Sequence, residues 1–245
     1  AISSGTGADT LDIDLAAILG GIQVDLSSAT DQVTTMNGGS NTAVQLGFEN
    51  VDVSGYTGFG AVITAAATGS SITGTTSADS ITLGTAAVTD TVTLQNTTAD
   101  TITNFTFGAS GDNISITVTG IDAENGDGGA ISGSLVVNSQ ATADDTDIAA
   151  TDEILVFTDS IADAATMENA LDDLQFATSS FADDDDFLVL WHDGTNAHLS
   201  SVNLAVTDDA GDKTIDDTGN TVTEIATLAG VTDLSGVNTA NFTAV

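Results

Sequence analysis

The sequence predicts a mainly β protein: short strands stacked in a β-solenoid or β-roll, then a C-terminal β-sandwich or hairpin-rich region, with one or two short helices. Thr, Val and Ile are abundant and 25 glycines punctuate the chain. Apolar and polar residues alternate, as in residues 114–119, which is the period of a half-buried strand. An Asp-x-aliphatic triplet also recurs, and four of its aspartates lie 11, 10 and 12 residues apart. That spacing is close to half a turn of a solenoid.

These elements divide the chain into two predicted domains. Residues 1–135 contain the triplets and form a degenerate repeat domain of the solenoid type. Residues 136–245 form a β-rich domain with a helix at 160–176, a hairpin at 186–206 and a distinct final segment at 221–245.

Two segments have apolar residues at helical spacing. In residues 11–19 these include Leu11, Leu15 and Leu19. In residues 160–176 an apolar stripe lies above an acidic face, and Asp159 or Ser160 is placed to cap the first turn. We expect both to be packing helices, because this spacing carries no cofactor motif.

The predicted hairpin surrounds Asp193-Gly194, a pair that suits the positive φ angles of a type I′ turn. With a loop of two or four residues, His192 and His198 fall on opposite faces of the hairpin. A metal ion shared by the two histidines is therefore not expected. Trp191 is expected to anchor a core or an interface.

The charge balance is extreme, with 36 acidic residues, a single basic residue, Lys213, and a net charge of −35. Such a chain repels itself unless cations or salt screen the carboxylates. Calcium is the expected cofactor, because it prefers oxygen ligands. Without basic residues the chain cannot neutralise phosphates, which excludes nucleic acid and anionic bilayers as partners. No apolar run approaches the ~18 residues that a membrane span needs, so membrane insertion is not expected.

Calcium could bind at remnants of the nonapeptide Gly-Gly-x-Gly-x-Asp-x-aliphatic, whose glycine turn and aspartate hold the ion. The stretch Gly5-Thr-Gly7-Ala-Asp9-Thr-Leu11 keeps most of this pattern, whereas the copies at Asp90 and Asp100 have lost their glycines. The acidic runs at 183–186 and 208–212 are either solvated turns or further calcium clusters. The candidate metal ligands are Gly5, Gly7, Asp9, Asp79, Asp90, Asp100, Asp112, Asp122 and Asp127.

Three stretches occur in an informative order. The first is Leu46-Gly-Phe-Glu-Asn-Val-Asp-Val-Ser-Gly55, followed by Ile72-Thr-Gly-Thr-Thr-Ser-Ala-Asp79-Ser-Ile-Thr82. The second runs from Ala99-Asp-Thr-Ile-Thr-Asn-Phe105 to Gly111-Asp-Asn-Ile114, and the third is residues 225–245. Together they resemble the carboxy-terminal part of repeat-in-toxin (hemolysin-type calcium-repeat) proteins. The resemblance implies calcium repeats, type I secretion with a signal-like end at 221–245, and an extracellular location at the cell surface. The eroded glycine pattern departs from the family and leaves the number of metal sites open.

The expected function is structural. The sequence has no His-Glu-x-x-His, Gly-x-Ser-x-Gly or phosphate-loop motif, no cysteine and no arginine, so no enzyme activity is expected. We expect an extracellular subunit of a surface layer or filament that assembles with copies of itself, stabilised by calcium. Both ends of the chain are short, uncharged segments that could pair as strands. There are two alternatives. One is a calcium-folded export module of a larger adhesin or hydrolase, and the other is a small carbohydrate-binding domain with cell-surface polysaccharide as partner.

Overall fold

A computed structural model describes residues 2–14, 20–85, 87–95, 98–116, 154–172, 186–203 and 221–245, together with short strands at 124–125, 129–130, 133–134, 137–140, 147–148, 175–176, 206–209 and 212–215. The fold is mainly β, which confirms the predicted class. Asp122 and Asp127 lie outside the described residues, as do residues 183–185 and 210–211 of the two acidic runs.

The strands are numbered in chain order. Up to residue 116 they are β1 (Ile2–Ser3), β2 (Thr10–Asp12), β3 (Ile22–Asp25), β4 (Val33–Met36), β5 (Gly39–Ser40), β6 (Gln45–Leu46), β7 (Asn50–Asp52), β8 (Ala61–Thr64), β9 (Ser71–Thr73), β10 (Ser80–Thr82), β11 (Thr91–Leu94), β12 (Asp100–Thr103) and β13 (Asn113–Ile116).

The later elements include one α-helix, α1 (Ala164–Asp172), and a 3-10 turn at Thr239–Asn241. The strands are β14 (Glu124–Asn125), β15 (Gly129–Ala130), β16 (Gly133–Ser134), β17 (Val137–Gln140), β18 (Asp147–Ile148), β19 (Ile154–Ser160), β20 (Gln175–Phe176), β21 (Asp186–His192), β22 (Ala197–Asn203), β23 (Val206–Asp209), β24 (Asp212–Ile215), β25 (Thr221–Ala229) and β26 (Phe242–Ala244).

From β7 to β13, successive strands alternate between two sheets. The first sheet contains β8, β10 and β12, and the second contains β7, β9, β11 and β13. Every pairing among these strands is parallel, so the chain passes from one sheet to the other and back to lay down the next strand. We call residues 50–116 the two-sheet stack.

Each short strand points its aliphatic residue inward because side chains alternate between the faces of a strand. Ile63, Ile81 and Ile102 align across the first sheet, and all three are fully buried. The second sheet aligns its own set in the same way, Val51, Ile72, Val92 and Ile114. Burying one such side chain contributes about 1.5–3 kcal/mol, so these two rows stabilise the stack.

The final segment adds a strand to each sheet. β25 pairs in parallel with β12, and β26 pairs in parallel with β13, which aligns Phe242 with Ile114. β16 covers the other edge of β26. The prediction that the last segment offers an open strand edge is therefore wrong. In the first segment, Ile2–Ser3 pairs with β6 in a separate two-stranded sheet.

Beyond β25 the first sheet continues through β22, β21, β19 and β17 and reaches eleven strands. The hairpin prediction is confirmed, because β21 and β22 pair antiparallel around a loop of residues 193–196. Within that loop only Gly194 has a positive φ, +86°, so the turn is not of type I′. Trp191 is buried in a second core that includes Met167 and Leu171 of α1, as the anchor role predicted.

Both helix predictions need correction. α1 begins after Asp163, whose carboxylate accepts a 2.8 Å hydrogen bond from the Thr166 N–H, and the proposed caps Asp159 and Ser160 belong to β19. The predicted end of that helix forms β20 instead. Leu11 lies in β2 beside Val51 of β7. A single buried leucine is compatible with a short strand as well as with a helix, so its spacing alone did not decide between the two. Residues 15–19 lie outside the described part.

Candidate functional site

Four of the candidate residues, Asp79, Asp90, Asp100 and Asp112, occupy equivalent places in the two-sheet stack. Three of them immediately precede a strand, and Asp100 is the first residue of β12. All four are at most 3% exposed. We refer to these four residues as the aspartate ladder.

The Asp-x-aliphatic repeat follows from this position. Residues two apart on a strand point to the same face, so Asp79 and Ile81 both point into the molecule. The same holds for Asp90 and Val92. The repeat therefore specifies an inward carboxylate followed by an inward aliphatic side chain.

Each ladder carboxylate binds the backbone of the preceding coil. Asp100 Oδ1 accepts a 2.8 Å hydrogen bond from the Asp79 N–H, and Asp79 Oδ1 accepts one of 2.6 Å from the Ala61 N–H. In the second sheet, Asp112 Oδ1 accepts from the Asp90 N–H at 2.9 Å, and Asp90 in turn accepts from the Ser70 N–H at 2.7 Å. These bonds tie coil to coil at the point where each strand begins.

In Asp79, Asp90 and Asp112 the second carboxylate oxygen accepts hydrogen bonds from the turn that leads into the strand. Asp79 Oδ2 accepts from the Thr75 N–H at 2.7 Å, and Asp90 Oδ2 accepts from the Gly84 N–H at 3.0 Å. Asp112 Oδ2 accepts from both the N–H and the hydroxyl of Thr106. Hydrogen bonds to a charged group contribute about 1.5–3 kcal/mol each, which offsets part of the cost of burying the carboxylates.

Burial changes the acidity of the ladder. Loss of solvent raises the pKa of Asp79 and Asp90 above the usual value, although the N–H donors act in the opposite direction. Burial raises the pKa of Asp100 to about 8, and the nearby charge of Asp79 adds to the effect. Asp100 therefore carries a proton in the folded protein near neutral pH.

The backbone already engages the ladder carboxylates. In Asp79, Asp90 and Asp112 each carboxylate oxygen accepts at least one N–H hydrogen bond, which uses part of its capacity to act as a metal ligand. Among the described residues there is no group of three or more His, Asp or Glu side chains arranged to hold a metal ion. Calcium binding by these residues stays a prediction.

The first candidate site, at Gly5, Gly7 and Asp9, is built differently. Gly7 adopts a φ of +127°, a conformation that favours glycine. The Asp9 N–H donates to the Glu49 carboxylate at 3.0 Å, and the Asp9 carbonyl accepts from the N–H groups of Glu49 and Asn50. Asp9 is only half-buried, and its Oδ2 is a buried atom that finds no hydrogen-bond partner within the described ranges. Among the predicted aspartate ligands that the structure describes, Asp9 therefore has a buried carboxylate oxygen without a hydrogen-bond partner.

Asn241 is a ladder-like residue that the sequence reasoning missed. It is fully buried, and its Nδ2 donates to the carbonyl of Asp112 at 2.8 Å and to that of Gly108 at 3.1 Å. Its Oδ1 accepts from the Gly108 N–H at 3.2 Å. The signal for this role was an uncharged Asn directly before a strand, in the place that an aspartate has in the ladder. Its hydrogen bonds hold β26 against the stack.

The two histidines lie on opposite faces of the hairpin, which confirms that prediction. His198 pairs with Trp191 across the strands and stacks on its ring at a centroid distance of 4.3 Å. Its Nδ1 lies 2.9 Å from Glu224 Oε1. His192 Nε2 instead lies 3.0 Å from the Thr158 carbonyl oxygen. Each histidine therefore has its own structural contacts.

Comparisons with protein families, with characterised proteins and with solved structures found no match. Within the described part, no helix has both the length and the apolar character of a transmembrane span.

Proposed function

We propose that the protein is a structural subunit of an extracellular assembly at the cell surface, a surface layer or a filament. The observation that carries this proposal is the first sheet, whose eleven hydrogen-bonded strands join residues 22–103 to residues 137–229. A sheet that runs through both regions makes a stiff element. The aspartate ladder adds coil-to-coil hydrogen bonds along both sheets of the stack.

The acidic charge of the chain is the reason to expect calcium in the assembly. Copies with a net charge of −35 repel each other within a Debye length of about 10 Å. Calcium bound at carboxylates outside the ladder, such as the half-buried Asp9, lowers that repulsion and stabilises the fold. A ligand that binds only the folded state adds about 2.7 kcal/mol at a hundredfold excess over its Kd.

Two measurements test this function. Sedimentation velocity in millimolar calcium should show large species that dissociate in chelator. Circular dichroism should show a lower melting temperature in chelator than in calcium. Monomers in both conditions with identical melting curves would refute both the assembly and the calcium linkage.

The export-module alternative rests on the resemblance of residues 225–245 to a type I secretion end. In the structure these residues include β26 and part of β25, which pair with the two sheets of the stack. Fusing residues 1–245 behind a reporter and measuring its type I export distinguishes the alternatives. Export of the reporter without assembly of the purified protein would favour the module.

A further inference from the structure

His198 lies between two carboxylates at the hairpin of β21 and β22. Its Nδ1 is 2.9 Å from Glu224 Oε1 on β25, and its Nε2 is 3.5 Å from Asp193 Oδ2 in the turn. The side chain of His198 is 14% exposed, whereas those of Asp193 and Glu224 are 28% and 38% exposed. The ring is therefore largely shielded from water, and both carboxylates remain partly solvated.

A neutral imidazole cannot satisfy both carboxylates, because it has one N–H donor and one bare acceptor nitrogen. If Nδ1 donates to Glu224, the bare Nε2 faces the Asp193 carboxylate, and Nε2 is a buried atom that has no hydrogen-bond partner among the described residues. In the other tautomer the bare Nδ1 lies 2.9 Å from Glu224 Oε1, where two acceptors repel. Only the imidazolium, with a hydrogen on each nitrogen, can donate to both sides.

The strands on either side of His198 add no positive charge to the ring. Trp191, directly across on β21, stacks on it at a centroid distance of 4.3 Å and an interplanar angle of 22°. An indole face attracts a cation. On β25, Thr227 lies opposite His198, and its hydroxyl donates to the same Glu224 oxygen. The charged groups that these strands and the turn present to His198 are therefore Glu224 and Asp193, both negative.

The turn itself orients Asp193 toward the ring. Asp193 Oδ1 accepts hydrogen bonds from the N–H groups of Thr195 at 2.6 Å and Asn196 at 2.7 Å. These backbone bonds lower the pKa of Asp193, and the neighbouring His198 lowers it further. Asp193 is thus a fixed negative charge whose Oδ2 is left for the histidine.

Histidine is the side chain whose ordinary change of charge falls between about pH 5 and pH 8. We propose that His198 is a pH-sensitive clasp. As an imidazolium it joins the hairpin turn at Asp193 to Glu224 of β25, and the loss of one proton as the pH rises releases Asp193. Because β25 pairs with β12, the clasp lies where the C-terminal hairpin meets the two-sheet stack. It does not depend on the proposed assembly.

The proton is followed through Trp191, the only tryptophan in the chain. An imidazolium quenches a stacked indole more strongly than a neutral imidazole does, because it accepts an electron from the excited ring. Emission is recorded from about pH 5 to pH 8 in chelator, so that no metal ion bridges Nε2 and Asp193. We expect emission to rise with pH in the wild-type protein and the rise to be lost in His198→Gln.

His192→Gln is the matched control, because His192 lies on the opposite face of the hairpin and its Nε2 is 3.0 Å from the Thr158 carbonyl oxygen. This variant should keep the rise in emission. A wild-type emission that does not change with pH, or a rise that persists in His198→Gln, would overturn the clasp.

The contact with Asp193 is tested by a double-mutant cycle of Asp193→Asn and His198→Gln, measured by urea unfolding at about pH 5.5 and about pH 8.5. Asparagine keeps the oxygen that the turn N–H groups need but removes the charge. We expect the coupling to change the unfolding equilibrium constant about two- to fivefold at the lower pH, as for partly exposed ion pairs, and to be lost at the higher pH. Contributions of other titrating groups, such as Asp100, cancel in the cycle.

Asp163→Asn replaces Asp193→Asn in a control cycle, because Asp163 is exposed and its carboxylate binds Thr166. It should show no coupling to His198 at either pH. Coupling between Asp193 and His198 that is equal at both pH values, or absent at the lower one, would overturn the inference even if the emission changes as expected.

Discussion

Replacing Asp100 with asparagine should remove a loss of stability that the wild-type protein shows as the pH rises. Asp100 is 3% exposed, and burial raises its pKa from 3.8 to about 8. A group with a raised pKa in the folded state stabilises the fold fully below its unfolded pKa. That contribution disappears as the pH rises through the folded value.

The size of the effect follows from the two pKa values. Between pH 6 and pH 9 the wild-type free energy of unfolding should fall by about 3 kcal/mol, because the folded protein must give up a proton that the unfolded chain has already lost. Burial also raises the pKa of Asp79 and Asp90, so the contribution of Asp100 is isolated by comparing the wild-type protein with the Asp100→Asn variant.

Urea unfolding in chelator at pH 6 and at pH 9 measures the effect. The asparagine side chain keeps an acceptor for the Asp79 N–H without a charge, so Asp100→Asn should have nearly the same stability at both pH values. Asp163→Asn is the control, because Asp163 is exposed and hydrogen bonds from Thr166 lower its pKa. A wild-type protein that is equally stable at both pH values, or an Asp100→Asn variant with the full wild-type loss, would refute the reasoning.

Three further predictions concern packing and backbone space. Ile81→Ala should lower the free energy of unfolding by about 2–5 kcal/mol by leaving a cavity in the core, whereas Thr82→Ala on the surface should change it by less than about 0.5 kcal/mol; urea titrations compare the two. Phe242→Ala should cost about 3–5 kcal/mol and increase amide exchange in β13, which would not change if β26 were not docked there. Gly60→Ala should destabilise strongly, because its Cβ would lie 1.8 Å from the Ala78 carbonyl oxygen, but Gly5→Ala meets nothing within 4 Å and should be tolerated; equal melting temperatures for these two variants would contradict the described turn.

The strands of the stack could be predicted because their signal is local. An aliphatic residue two places after each aspartate, such as Ile81 or Ile114, is buried on a strand as the period-2 pattern requires. The role of the aspartate could not be predicted in the same way. Whether its oxygen meets a cation or the N–H of the preceding coil depends on residues about 20 positions away, as in the bond from Asp79 to Asp100.

The remaining misses also come from long-range contacts. Leu11 and Leu15 have helical spacing, but pairing with β7 places Leu11 on a strand. The partner of β26 is β13, more than 120 residues earlier in the chain. Nothing in the local pattern of the last segment specifies that pairing, although its buried Asn241 stabilises it.

Negative-stain electron microscopy of the purified protein, in millimolar calcium and in chelator, tests the central claim most directly. A structural subunit should form ordered sheets or filaments in calcium and dispersed particles in chelator, because bridging cations offset the repulsion between chains of net charge −35. Sheets would indicate a surface layer, and fibres a filament. Dispersed monomers at high protein concentration in both conditions would contradict the proposed function.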